Sequence, residues 1–174
     1  MVSVRQAVLD DAPALADAFV QSVSESYSPI IAPEDMHLFS YESALESIVG
    51  RISAGECVLA GEWDGRVVAY GRWCVMPEEP WPYPAMVYSL FVTPAHQSRG
   101  VGKMLILRCA ELSVENGHKG MMIGSLRDNT RALGMYEGLG AKRVNEDPFQ
   151  IGDRSYAHVL LAWDDLPSLI MRLA

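Results

Sequence analysis

The chain has 174 residues, 49% of them hydrophobic, and a formal net charge of −8. Length and composition suit a single domain over residues 1–174 with a substantial core, and they exclude a disordered chain. The acidic balance argues against nucleic acid as a main partner, because phosphate backbones need a basic face, and it leaves any anionic ligand to be held by local groups.

No apolar run approaches the length of a membrane span, so no membrane partner is expected. The start, "MVSVRQAVLDD", lacks the basic-then-apolar layout of a secretory leader, which makes the cytoplasm the expected compartment. Cys57, Cys74 and Cys109 are odd in number and far apart, form no CxxC pair and match no zinc spacing. Buried thiols and no metal are the expectation.

In chain order, residues 2–8 alternate as a strand. "DDAPALADAFVQS" opens with Asp11 as a cap and an early Pro13, both helix-start signals. Leu15, Ala18, Phe19 and Ser22 or Val23 share one face of that helix. "SESYSPIIAPED" reads as a loop around Pro29 and Pro33. A second helix is expected over about Tyr41–Ile52, with Leu45, Ile48, Val49 and Ile52 as its apolar stripe. Ser43 with Glu46 has capping-box spacing, and a start at Ser40 fits equally well. "ECVLAGEW" and "RVVAYGRWCVM" are strands joined by Asp64-Gly65, a hairpin turn that needs positive φ.

"PEEPWPYPA" is an irregular loop, and "MVYSLFV" is a third apolar strand. "GKMLILRCAELSVENG" is a helix, with Val101, Leu105, Cys109 and Leu112 at helical spacing and Gly117 as its C-cap. "GMMIGSL" is a strand, and "DNTRALGMYEGLG" is a short helix capped by Asp128 or Asn129 and stopped at Gly140. "AKRV" and "SYAHVLLAW" are the last strands, and "DDLPSLIMRLA" a terminal helix. This order implies a mixed sheet with helices packed on it, not an all-parallel one.

"QSRGVG", Gln97 to Gly102, joins the third apolar strand to the long helix. A helix beginning near Gly100 has unpartnered first N–H groups carrying partial positive charge. Gly100 and Gly102 clear side chains from that end, and Arg99 and Lys103 add charge, an arrangement suited to a pyrophosphate. A plain turn that starts a helix is the competing reading. The P-loop pattern fails at Met104, where a hydroxyl belongs, and the dinucleotide fingerprint fails at Leu105, where a third glycine belongs. Asn129 and Tyr136, seven residues apart on the next helix, lie nearly on one face. Taken singly, they read as an N-cap and a core tyrosine.

"LFVTPAHQSRGVGKMLI" resembles motif A of the GNAT family, the Gcn5-related N-acetyltransferases, with Gln97, Arg99, Gly100 and Gly102 on its Q/R-x-x-G-x-G/A signature. "NTRALGMYEGLGAKRV" is similar to the family's following segment, with Asn129, Ala132, Tyr136 and Gly140 in place, and "VSVRQAVLDDAPAL" to its first strand and helix. Ala141 departs from the aromatic that often follows the glycine, and Ser24–Ser40 matches nothing assignable.

The resemblance implies an α/β (α+β) fold: a three-layer α-β-α sandwich around a mostly antiparallel sheet of about seven strands, with a central splayed parallel pair. It implies acetyl-CoA as co-substrate. Leu90, Phe91 and Val92 would run beside the pantetheine, and the N–H near Leu90 would serve as oxyanion donor. Gln97, Ser98, Arg99, Gly100, Val101, Gly102 and Lys103 would form the pyrophosphate turn. Asn129 would bind the pantetheine, and Tyr136 would protonate the leaving thiolate. The partner would be the primary amine of a small molecule or peptide. Homodimers are common in the family, which leaves a homodimer open.

A lysine-like ammonium has a pKa near 10.4, so freeing it at pH 7 costs about 4.6 kcal/mol. Some family members use a carboxylate on the strand before motif A, but Met86–Val92 contains no acid. Glu62 is the first candidate base, followed by His37, Glu78 and Glu79; His96 and His118 flank the cofactor helix. Tyr27, Phe39, Trp81 and Tyr83 are candidates for an aromatic acceptor wall or for plain loop packing. Acids at 25, 34, 35, 78 and 79 would suit a cationic acceptor or a solvated face. The alternative in a different class is a non-catalytic acyl-CoA-binding sensor or interaction module.

Overall fold

A computed structural model of the chain describes residues 1–76 and 82–174. Glu78, Glu79 and Trp81 lie outside the described residues. Seven strands run in the order β1-β2-β3-β4-β5-β7-β6. They are β1 (Val2–Gln6), β2 (Val58–Trp63), β3 (Arg66–Val75), β4 (Ala85–Val92), β5 (Met121–Leu126), β6 (Lys142–Ile151) and β7 (Arg154–Trp163). The helices are α1 (Ala12–Tyr27), α2 (Tyr41–Ser53), α3 (Val101–Glu115), α4 (Thr130–Gly138) and α5 (Leu166–Leu173). β1–β2, β2–β3, β5–β7 and β6–β7 pair antiparallel, and β4–β5 pairs parallel. The sheet is therefore mixed and mostly antiparallel. Among the described residues, no helix is long and apolar enough to cross a membrane.

The chain divides into two compact units, residues 1–74 with 89–106 and residues 75–88 with 107–174. In the first, Asp64 (φ 49) and Gly65 (φ 76) turn β2 onto β3 with the positive φ that a tight hairpin demands. Ala60 and Tyr70 face α1 and α2, in a core with Leu15, Ala16, Ala44 and Ile48. Gly61 and Gly71 face the other way. A Cβ on Gly61 would come within 3.1 Å of Val101 Cγ1, and one on Gly71 within 2.8 Å of Leu105 Cδ2. The missing side chains let the start of α3 lie close on the hairpin, which fixes the turn before it.

In the second unit the parallel ladder is registered at Met86↔Met122 and Val87↔Ile123. The Ser113 hydroxyl on α3 donates to the Cys109 carbonyl (2.8 Å) and sits near the Met121 sulfur of β5. α4 is capped by Asn129, whose Oδ1 accepts from Ala132 N (3.3 Å), and ends at Gly140 in the left-handed region, φ 83.

Several local expectations change. Asp11 precedes α1 but makes no cap bond to it; its carboxylate reaches back to Val8 N (2.8 Å) and to Arg5 (2.6 and 2.8 Å). Ser40, not Ser43, caps α2. Ala44 and Ile48 are its buried residues, whereas Val49 is 37% exposed. Pro33–Phe39 winds as a 3-10 helix instead of a loop. Only Cys109 is a fully buried thiol; Cys57 and Cys74 are half-buried. β6 extends well past "AKRV", through Pro148 to Ile151. An edge strand accommodates that proline because its outer N–H positions have no ladder partner.

Candidate functional site

The turn between β4 and α3 carries backbone of unusual conformation, as the β2–β3 hairpin does. After the short 3-10 turn Pro94–His96, Ser98 takes φ 59 and Gly100 φ 89. A positive φ at a non-glycine residue costs about 1–2 kcal/mol, so Ser98 must be held there by its surroundings. Left-handed residues alternating with right-handed ones are the backbone pattern of anion-binding concavities. Met104 N donates to the Gly100 carbonyl at 3.0 Å, closing the first turn of α3. The N–H groups of Val101, Gly102 and Lys103 precede that bond and point out of the helix end. A Cβ built on Gly100 meets nothing within 4 Å. This glycine is thus not required by packing, and the space before it is open.

Gln97 braces the turn. Its Nε2 donates to the Val92 carbonyl (3.1 Å) and to Glu25 Oε2 on α1 (2.7 Å), while its Oε1 is buried without a hydrogen-bond partner. An orphaned buried acceptor costs about 1–3 kcal/mol, which a donor brought by a ligand would relieve. Arg99 extends over the Trp63 ring, 5.3 Å from its centroid, and His96 stands 6.2 Å from the same ring while meeting Thr93 Oγ1 at 2.8 Å. The Arg99 guanidinium is therefore anchored at the β2–β3 turn, and Lys103 is exposed.

Phe91 belongs to an aromatic group rather than to a simple strand face. It stacks on Tyr70 (6.2 Å, 9°) and meets Phe19 edge-on at 4.8 Å, with Tyr27 at 6.5 Å. Phe39 completes the group against Phe19 and Tyr27. Burial raises the Tyr27 and Tyr70 hydroxyls above the ordinary tyrosine value, and a Ser89 hydrogen bond partly offsets this for Tyr70. Of the expected aromatic wall, Tyr27 and Phe39 come together here. Tyr83 packs in the second unit against Gly120, where a Cβ would lie 2.6 Å from its ring. Leu90 is half-buried and Val92 is buried.

Glu62 is committed elsewhere. Its Oε1 accepts from Arg5 Nε and its Oε2 from Ser3 Oγ, both at 2.8 Å, which ties β2 to β1. His37 is exposed, its Nδ1 2.6 Å from the Glu34 carbonyl.

The second unit holds Asn129 and Tyr136. The Asn129 carboxamide is half-buried and oriented by its cap bond. Tyr136 is 4% exposed and meets Trp163 edge-on at 6.3 Å; the Trp163 indole donates to the Leu139 carbonyl at 2.9 Å. The same unit contains a group that sequence reasoning passed over, His158 on β7. The signal available was Gly124, an isolated glycine inside "MMIGSL", since a strand glycine marks a close approach. Among the described residues no cluster of three or more His, Cys, Asp or Glu is arranged to hold a metal ion.

The model of the acetyltransferase (GNAT) family matches residues 17–141. The uncharacterized N-acetyltransferase YuaI of Bacillus subtilis (strain 168) is 27% identical over 169 residues, covering 97% of this chain and 96% of its own. A GCN5-related N-acetyltransferase from Rhodopseudomonas palustris superposes with a TM-score of 0.75 at 17% identity, over 93% of this chain and 94% of its own. YncA from Salmonella typhimurium, solved with its cofactor acetyl-CoA, gives a TM-score of 0.68 at 21% identity, over 94% and 93% respectively. At these identities the two structures establish a shared fold.

Proposed function

Since the chain belongs to the acetyltransferase (GNAT) family, we propose that it transfers an acetyl group from acetyl-CoA to a primary amine of a small molecule or peptide, by direct attack with both bound. The observation that carries this reading is the turn before α3, with positive φ at Ser98 and Gly100 and open space at the Gly100 Cβ position. Those residues fit a pyrophosphate, because outward-facing amides at a helix start favour an anion and no side chain blocks it.

Bound acetyl-CoA supplies an activated acyl group. In the proposed roles, the N–H groups of Val101, Gly102 and Lys103 hold the diphosphate. The main chain of Leu90, Phe91 and Val92 orients the arm, and the Leu90 N–H donates to the carbonyl oxygen as charge builds there. The Asn129 carboxamide donates from its Nδ2 while Oδ1 caps α4. Tyr136 gives its hydroxyl proton to the departing sulfur. We assign Glu62 to the joint between β1 and β2, because both of its carboxylate oxygens already accept hydrogen bonds from β1.

Thiol release from acetyl-CoA across a panel of primary amines tests the proposal. Amine-dependent release is expected. Tight CoA binding with no release for any amine would point to an acyl-CoA-sensing module instead.

A further inference from the structure

The proposed reaction needs a group that takes the amine's proton, and β4 offers no acid between Ala85 and Val92. In the second unit, His158 of β7 lies over the backbone of Gly124 on β5, so that a Cβ at Gly124 would strike its Cε1 and Nε2. Gly124 follows Ile123, the last β5 residue registered against β4. Phe149 of β6 packs along the ring at 5.2 Å and 30°. Neither ring nitrogen has a hydrogen-bond partner among the described residues. Asp147, its register partner on β6, accepts from Asn145 Nδ2 at 2.7 Å. Tyr156 stands two positions earlier on β7. The β5 residues of this face, Met122, Gly124 and Leu126, bring no charge.

We propose that His158 is the general base that frees the acceptor amine, an inference that rests on the acetyl-transfer reading. Burial pushes the imidazole below the ordinary histidine value, and the Asp147 carboxylate pulls in the opposite direction. Burial thus favours the neutral ring that a base requires, and a nearby anion favours the imidazolium once it forms. An ammonium R–NH3+ gives one proton to an imidazole nitrogen. The freed lone pair forms the N–C bond at the acetyl carbonyl, and the C–S bond breaks. The thiolate takes the Tyr136 proton, and the nitrogen's second proton replaces it. The imidazolium releases its proton to solvent, so ammonium and thioester become amide, thiol and one proton.

The test compares the full chain with His158→Asn and Asp147→Asn, using acetyl-CoA with primary alkylamines and with hydroxylamine, an acceptor already unprotonated at neutral pH. For alkylamines at pH 7, His158→Asn should lower kcat by about 100-fold or more. The defect should shrink at high pH and with hydroxylamine, and CoA affinity should stay within about threefold by calorimetry. The acid limb of kcat/KM should vanish in His158→Asn. It should move to lower pH in Asp147→Asn, because removing the anion lowers the imidazole value further. A wild-type limb retained in both variants overturns the proposal, as does a defect that is the same for every acceptor and every pH. Loss of the limb in Glu62→Gln with the limb intact in His158→Asn would transfer the role to Glu62. If the wild type releases no thiol with any acceptor, the acetyl-transfer reading falls first and takes this one with it.

Discussion

The turn before α3 and the face of β5, β6 and β7 around His158 present chemistry in opposite ways. The turn offers backbone: positive φ at Ser98 and Gly100, open space at the Gly100 Cβ position, and the unbonded first N–H groups of α3. The strand face offers a side chain, an imidazole whose surroundings come from three separate stretches of chain. A site made of backbone forbids side chains, and so leaves a glycine pattern in one short segment. A site made of a side chain depends on what lies across the strands, and leaves almost no local pattern.

The contrast breaks most sharply at Gly100. Gly100→Val should weaken CoA binding about 1,000-fold, since losing two or three hydrogen bonds to charged oxygens costs about 1.5–3 kcal/mol each. Calorimetric titration with CoA reads this, and unchanged affinity would reject the turn as the diphosphate site. Tyr136→Phe removes one side-chain oxygen from the other kind of site. It should lower kcat about 100-fold with little change in CoA affinity, as expected for a proton donor. Equal losses in both quantities would make the tyrosine structural, in keeping with its edge-on packing against Trp163.

The smallest effect sharpens the comparison by touching neither region. The Arg5 guanidinium, through its hydrogen bonds, holds the Asp11 carboxyl below the ordinary carboxylate range. A depressed folded value means this stabilisation is complete above the unfolded value, near 3.9, and is lost as pH falls through the folded one. Asp11→Asn should cost about 1–3 kcal/mol at neutral pH, because a buried charged acceptor is replaced. Its thermal midpoint should fall less than that of the wild type on acidification, with kcat unaffected. A midpoint equal to the wild type at pH 7 would show that the Arg5 pair contributes nothing.

Much of the frame was legible because its signals are local. Asp64-Gly65, the caps at Ser40 and Asn129, and the terminators Gly117 and Gly140 each act within a few residues, and each stands where its chemistry requires. The glycine turn was legible for the same reason. The length of β6 was not, because Pro148 and the charges around it imitate a turn, and only its position outside β7 makes them tolerable in a strand. Asp11 holds the N-cap position of α1, but its carboxylate turns to Arg5 of the preceding strand, a partner that the helix-start signal does not reveal. The bonds of Glu62 are not legible locally, because its partners Ser3 and Arg5 lie nearly sixty residues away in sequence. His158 was hidden in an apolar alternation whose meaning depends on a glycine more than thirty residues earlier.

The proline of β6 reaches beyond the single molecule. This strand is the last of the sheet order, paired on one side only. Over Lys142–Ile151 it carries Lys142, Arg143, Glu146 and Asp147 as well as Pro148, which has no N–H to offer. Such a margin is a poor template for another strand, so crowding copies together does not invite the sheet to grow across it.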